Sequence, residues 1–234
     1  MEPAAPIVHL AAPVPLRAVL TTAAAGDMSD PATWRRTCEA LGVSPERIRR
    51  VVQRHTRCVM VAGGGSRDAA RPADGVIAGT PNDVLCVTVA DCLPIFLIPR
   101  DRRFPALLHS GWRGTGIVDD AFTCLERRFG RRTDAYDAVI GPGIGPCCYD
   151  VPAERARRFR ERFGADTADV AGGAGRIDLR AANIALLCRA GVASVTVYDD
   201  CTACSPALFS FRAERASGRD GSRRMAALLG RFGS

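Results

Sequence analysis

Between Val84 and Pro99 the chain is apolar almost without a break, yet Asp91 and Cys92 stand in the middle of it. The run is too short to cross a bilayer, which takes about 20 apolar residues. It reads instead as buried strand over Val84–Val89 and Ile95–Ile98. A buried carboxylate costs several kcal/mol unless it is hydrogen-bonded, and Pro94 removes a ladder donor. The strand pattern therefore breaks at Asp91-Cys92, and a strand end carrying an acid and a thiol is a candidate site.

Other β-type segments are expected at Arg50–Gln53, Cys58–Ala62, Val76–Ala78, Ala106–His109, Ala138–Ile140, Ser194–Tyr198 and 208–212. Helices are expected over 31–41, opened by Asp30-Pro31 and stopped by Gly42, and over Ile117–Phe129, 152–163, Leu179–Ala190 and 222–231. Residues 1–15 read as irregular because of their prolines. Residues 63–72 and 165–176 read as loops, and Gly141–Pro146 as a rigid turn. The arginines of 152–163 read as a solvated face. Strands and helices mix without strict alternation, and no linker divides the chain. The expectation is one α/β domain over 1–234.

All 32 basic residues are Arg, against 25 acids, for a net charge of +7. Without Lys there is no Schiff-base lysine and no P-loop of the Walker type. Arg suits planar anions through paired hydrogen bonds, so phosphate or carboxylate ligands are natural. The charge is mild and spread along the chain, which argues against a nucleic-acid partner. Ten cysteines, mostly in apolar runs, read as reduced core thiols of a cytoplasmic protein. The N-terminus lacks a basic n-region and makes a poor signal peptide. No membrane partner is expected.

The chain has three histidines, His9, His55 and His109. They cannot supply the many imidazoles of several copper centres. His109 ends an apolar strand and is followed by Ser110, Gly111, Trp112, Arg113 and Gly114. Small residues there let backbone approach a ligand, Trp112 offers a stacking face and Arg113 an anion fork. His55 is weak alone, but with His9 near the terminus it is the remaining imidazole that can join His109 and Cys92. Such a set leaves three readings open: a catalytic zinc site with one free position, a single blue-copper site, or a Cys–His nucleophile pair. A single Cys-x-x-Cys is a weak signal for structural zinc, so Cys147-Cys148 and Cys201-Thr202-Ala203-Cys204 read as structural or spectator thiols, with Cys147 or Cys148 placed to approach the site.

Several segments, taken in order, carry a resemblance: Gln53-Arg54-His55, Ala73-Asp74-Gly75, TVADCLPIFL at 88–97, HSGWRGT at 109–115, IGPGIGPCCYDV at 140–151, Cys201-Thr202 and FSFR at 209–212. They resemble the YfiH family, also called the laccase-domain or polyphenol oxidase family and described as purine nucleoside phosphorylases. The resemblance implies a single-domain α-β-β-α sandwich with mixed sheets and a zinc ion on His55, Cys92 and His109. It also implies phosphate-dependent cleavage of adenosine, inosine, guanosine and methylthioadenosine, with deamination of adenosine in addition. Charge and position make Arg113 and Arg212 the expected anion contacts, and Asp91 the proton carrier or an orienting group. The chain departs from the family at Thr21-Thr22-Ala23-Ala24-Ala25-Gly26, where an Arg is expected, at Phe211-Arg212-Ala213-Glu214, at Ser222-Arg223-Arg224, and at Asp150, where Glu is usual. The rival readings are an amide hydrolase using Cys92 and His109, including one that edits cell-wall precursors, a single-copper phenol oxidase, and a nucleoside-binding module without turnover.

Overall fold

The computed structural model describes residues 6–63 and 72–233, so the loop expected over 63–72 lies almost wholly outside the described residues. The interrupted apolar run becomes two strands, β6 (Val84–Val89) and β7 (Leu93–Pro99), that belong to different sheets. β6 lies in a five-stranded mixed sheet with β1 (Ile7–Leu10), β2 (Arg17–Thr21), β3 (Ile48–Arg50) and β14 (Met225–Gly230), in the order β1-β2-β14-β6-β3. β7 lies in a six-stranded mixed sheet with β4 (Val59–Val61), β5 (Gly75–Ile77), β8 (Ala106–Ser110), β9 (Tyr136–Ile140) and β13 (Ser194–Val197), in the order β13-β9-β7-β8-β5-β4. A small third sheet holds β10 (Asp150–Pro152), β12 (Ala174–Ile177) and β11 (Ala168–Ala171).

Both central strands are apolar on two faces because both faces are covered. Leu85 and Val87 of β6 meet Phe96 and Ile98 of β7 and Leu107 of β8 in a core between the sheets. Val84 and Cys86 point the other way, toward Met28, Val43 and Leu41 of helix α1 (Pro31–Leu41). Leu93, Ile95 and Leu97 point out to α2 (Ile117–Phe129) and α4 (Leu179–Ala190), through Val118, Phe122, Leu125, Ala182 and Leu187. The period of two along each strand thus builds an α-β-β-α sandwich. Each fully buried Leu, Ile or Phe contributes roughly 1.5–3 kcal/mol, so this three-layered burial is what holds the frame. Helix α1 forms where its caps predict. Asp30 accepts the Thr33 amide at 2.8 Å, Pro31 fills the first turn, and Gly42 ends the helix at φ 65°.

Four expectations are corrected. Residues 222–231 are not a helix: Met225–Gly230 form β14, fully buried between β2 and β6. Residues 165–176 are not a loop, since they carry β11 and β12, paired around Gly172-Gly173. The strand expected at 208–212 is not formed: 208–210 are a non-helical lead-in to helix α5 (Phe211–Ala216), with the Ser210 hydroxyl accepting the Ala213 amide at 3.1 Å. The described part of the N-terminal segment is not irregular: β1 pairs antiparallel with β2. The 152–163 helix exists as α3 (Ala153–Phe163).

Candidate active site

Asp74, just before β5, organises the site. Its buried carboxylate accepts the amides of Arg54, His55 and Thr56 at 3.1, 2.9 and 2.7 Å, and the Thr56 hydroxyl at 2.8 Å. The chain wraps around one carboxylate, and His55 takes the left-handed conformation at φ 58°, uncommon outside glycine. Gln53 fastens the same stretch to β6. Its side-chain amide donates to the Thr88 carbonyl and accepts the Thr88 amide, each at 2.8 Å, acting as an extra rung. His55 is thereby held on the connection between β3 and β4, which runs from one sheet to the other.

Cys92 lies on the second such connection, between β6 and β7, beside Asp91 at φ 90°. His109 comes from β8, and its Nδ1 bonds Asp74 Oδ1 at 2.9 Å. That pairing leaves Nε2 as the free ring nitrogen, the arrangement of a metal-ligating histidine oriented by a carboxylate. The His55 and His109 rings meet edge to face, with centroids 5.0 Å apart. One donor atom from each of His55, Cys92 and His109 lies within 4.8 Å of the others. Two nitrogens and one sulfur make a borderline-soft set able to bind a metal.

The electrostatics favour the ligand form of Cys92, the thiolate, and hold a proton on His109 that a bound metal would displace. Burial opposes a Cys92 thiolate, but His109 and His55 outweigh it and bring the thiol below its ordinary value. Burial likewise opposes charge on His109, yet the Cys92 thiolate and Asp74 raise it above the usual imidazole range. For Asp74 burial is outweighed by the hydrogen bonds from His109 and Thr56, so it stays ionised far below the usual carboxylate range. Gly111 gives the sulfur its room. A Cβ there would sit 2.7 Å from Cys92 Sγ and 3.5 Å from the His55 ring. Gly111→Ala is therefore expected to weaken metal retention about 10–100-fold, on the scale of a displaced ligand-orienting group. Competition against a calibrated chelator measures it, and unchanged affinity would show that the sulfur is not where the metal binds.

The triad lies in a cavity of about 550 Å³, within the roughly 300–1,000 Å³ of small-molecule sites. Its walls carry Arg50, Arg155, Arg212 and Arg224, and the aromatic faces of Trp112, Tyr149 and Phe211. Among the described residues none of these four arginines pairs with a carboxylate within 4.0 Å. They are held by ring faces and carbonyls instead. Arg155 lies 4.5 Å over Trp112 and Arg212 5.4 Å over Tyr149, while Arg212 also donates to the Asp150 carbonyl at 2.8 Å. Guanidiniums positioned but uncompensated suit an anionic ligand.

Asp91 lines this cavity. Its carboxylate accepts the Thr202 hydroxyl at 2.7 Å and the Arg212 amide at 2.8 Å. Arg113 does not line it: the side chain is exposed, 5.2 Å from the Trp112 ring. Arg113 sits in the turn that precedes α2, and Arg155, expected on a solvated face, stands at the cavity in its place. Cys147 and Cys148 do not join the triad; they group with Cys201 and Cys204. His9 is exposed on the edge strand β1. The residues that the sequence left without a role are Asp74, Arg50, Arg155 and Arg224. The signal for Asp74 is an acid between Ala73 and Gly75 at the head of an apolar strand. In a chain whose bases are all Arg, nothing singles out the other three.

Residues 27–229 match the sequence model of a family described as multi-copper polyphenol oxidoreductase laccase. A human protein named purine nucleoside phosphorylase LACC1 is 26% identical over 183 residues, 75% of this chain and 42% of the human one. Purine nucleoside phosphorylase YlmD of Geobacillus stearothermophilus is 32% identical over 180 residues, 72% of this chain and 65% of the relative. A crystal structure of YlmD from the same species superposes with a TM-score of 0.86 at 27% identity, covering 99% of this chain and 98% of the other. A prokaryotic protein named adenosine deaminase RL5 is 34% identical over 149 residues, 61% of this chain and 56% of its own length. The chain thus spans less than two thirds of the length of these curated relatives.

Proposed function

This chain belongs to the family described as multi-copper polyphenol oxidoreductase laccase, and from that premise we propose that it is a zinc-dependent purine nucleoside phosphorylase. The observation that carries the reading is the juxtaposition in one cavity of a His55/Cys92/His109 donor set with four carboxylate-free arginines and three aromatic faces. The names of its relatives support the substrate class. Three histidines in the whole chain do not furnish several copper centres.

His55, Cys92 and His109 hold the ion, and Asp74 fixes the tautomer of His109. Zinc bound there supplies Lewis-acid chemistry. Arg155 and Arg212 grip phosphate, and an aromatic face stacks the purine. In phosphorolysis an oxygen of monohydrogen phosphate bonds to the ribose C1 as the bond to the purine nitrogen breaks, and the proton that phosphate gives up is taken by the departing base. The arginines bring that oxygen to the sugar and neutralise it. Asp91 sets Arg212 by accepting its amide. Deamination of adenosine at the same cavity is the second activity we assign, supported by the relative named for it. Asp91 is then the proton carrier, since two accepted bonds use about half of a carboxylate's acceptor capacity.

The test is base release from adenosine by zinc-loaded protein, with and without phosphate, read by chromatography. Adenine forming only with phosphate is the expected result, and Arg155→Ala should raise the KM for phosphate about tenfold or more, the worth of one charge-assisted contact. Inosine alone would assign deamination without phosphorolysis. No product from any purine nucleoside would overturn the reading.

A further inference from the structure

Two cysteine pairs that are far apart in sequence meet at one point. The turn at Gly141–Pro146 delivers Cys147-Cys148, and the segment after β13 delivers Cys201 and Cys204. The four sulfurs lie within 4.8 Å of one another. We propose that Cys147, Cys148, Cys201 and Cys204 form a second, structural metal site that binds one zinc ion through four thiolates.

The spacing fits the ion. With Zn–S bonds of about 2.3 Å, a tetrahedral centre sets its sulfurs about 3.8 Å apart. Cys204 Sγ lies 3.7 Å from Cys147 Sγ and 3.4 Å from Cys148 Sγ. One sulfur facing two others at near-equal range suits a shared centre better than a single S–S bond of about 2.05 Å. Cys201-x-x-Cys204 has the two-residue spacer of structural zinc ligands, and its turn is closed by the Cys204 and Ser205 amides on the Cys201 carbonyl, at 3.1 and 3.0 Å. The Gly145 amide donates to Cys201 Sγ at 3.2 Å, and the amides of Ala203 and Cys204 are directed at the same sulfur. Amide donors of this kind stabilise a thiolate ligand. Gly145 also clears the space, because a Cβ there would lie 3.2 Å from Cys147 Sγ. Unlike buried Cys38 and Cys86, all four thiols are partly or fully exposed, so core packing does not explain them.

The site would clamp the segments that hold Asp91. Thr202, inside the second pair, donates its hydroxyl to Asp91 Oδ1 at 2.7 Å and its amide to the Gly143 carbonyl at 3.1 Å. The Ile144 amide donates to the Asp91 carbonyl at 2.8 Å. Each thiol gives up its proton to solvent as the ion binds.

The test counts zinc per chain in full-length protein equilibrated with Zn2+ under reducing conditions and then desalted. Two ions are expected in the wild type. His55→Ala/Cys92→Ala should keep one, and its Co2+ form should show the intense sulfur-to-cobalt charge-transfer bands of a tetrathiolate. Cys201→Ser/Cys204→Ser should lose that ion. Should this second variant not fold, the unmodified chain still decides. Its four thiols should resist alkylation when zinc-loaded and become reactive as a chelator removes the ion. Rapid alkylation of all four in zinc-loaded protein, or a disulfide among them in that preparation, would overturn the proposal. The His55/Cys92 variant contains this site alone, so its metal count fails or holds independently of the nucleoside reaction.

Discussion

Cys92→Ala should yield a folded protein that no longer retains metal at the triad and releases no base from adenosine. The change removes one atom beyond Cβ, at a cost of about 1 kcal/mol, an ordinary value for a small substitution. Its chemical cost is far larger, because Cys92 is the one sulfur among the three donors. Losing several kcal/mol of metal-assisted stabilisation amounts to at least a thousandfold in rate. Asp74 would still hold His109 in the variant through the 2.9 Å bond. Circular dichroism, metal content of the triad and base release separate the two effects. Full activity in Cys92→Ala would remove the triad from the mechanism.

Asp74→Ala should damage stability and metal binding together. The carboxylate accepts five hydrogen bonds and has no solvent exposure. Removing it strands three amides, a hydroxyl and an imidazole, at about 3 kcal/mol, the lower end for a broken buried charged pair. In a chain of this size that lowers Tm by roughly 6–12 °C. Asp74→Asn does not escape, since both carboxylate oxygens face N–H donors and an amide nitrogen would oppose one set of them. Metal affinity should fall about 10–100-fold through His109. The sign of the pH dependence follows from the depressed carboxyl. The stability Asp74 supplies is present above the ordinary carboxylate value of roughly 4 and fades as acid protonates it. Melting of chelated protein reads the structural part, and chelator competition the metal part. An unchanged melt would show that the 54–56 turn is held without Asp74.

The sequence exposed the site more clearly than the elements that frame it. Asp91 and Cys92 stand out because polar residues inside an apolar run are costly, and His109 because small residues follow it. His55 stood out by elimination among three histidines. The reason for its position, a backbone wrapped on Asp74, is a tertiary contact that no local pattern displays. β14 runs against its local sequence pattern for a physical reason. Met225-Ala-Ala-Leu-Leu-Gly230 is rich in strong helix formers, and a strand buried on both faces shows no alternation to contradict them. β1 was hidden by nearby prolines, which an edge strand tolerates. Arg113 stands out in the sequence by its neighbours, whereas the cavity arginines arrive from β3, α3, α5 and the lead-in to β14, and only the assembled sandwich brings them together.

His55 and Cys92 both ride on connections that leave the five-stranded sheet and enter the six-stranded one, while His109 belongs to the second sheet outright. An ion on these residues therefore acts as a rivet at one end of the sandwich. Any breathing that parts the sheets there stretches the ligand set, and any bound ion resists it. Metal occupancy should then slow amide exchange well beyond the cavity, along β3 and β6 on one side of the seam and β4 and β7 on the other.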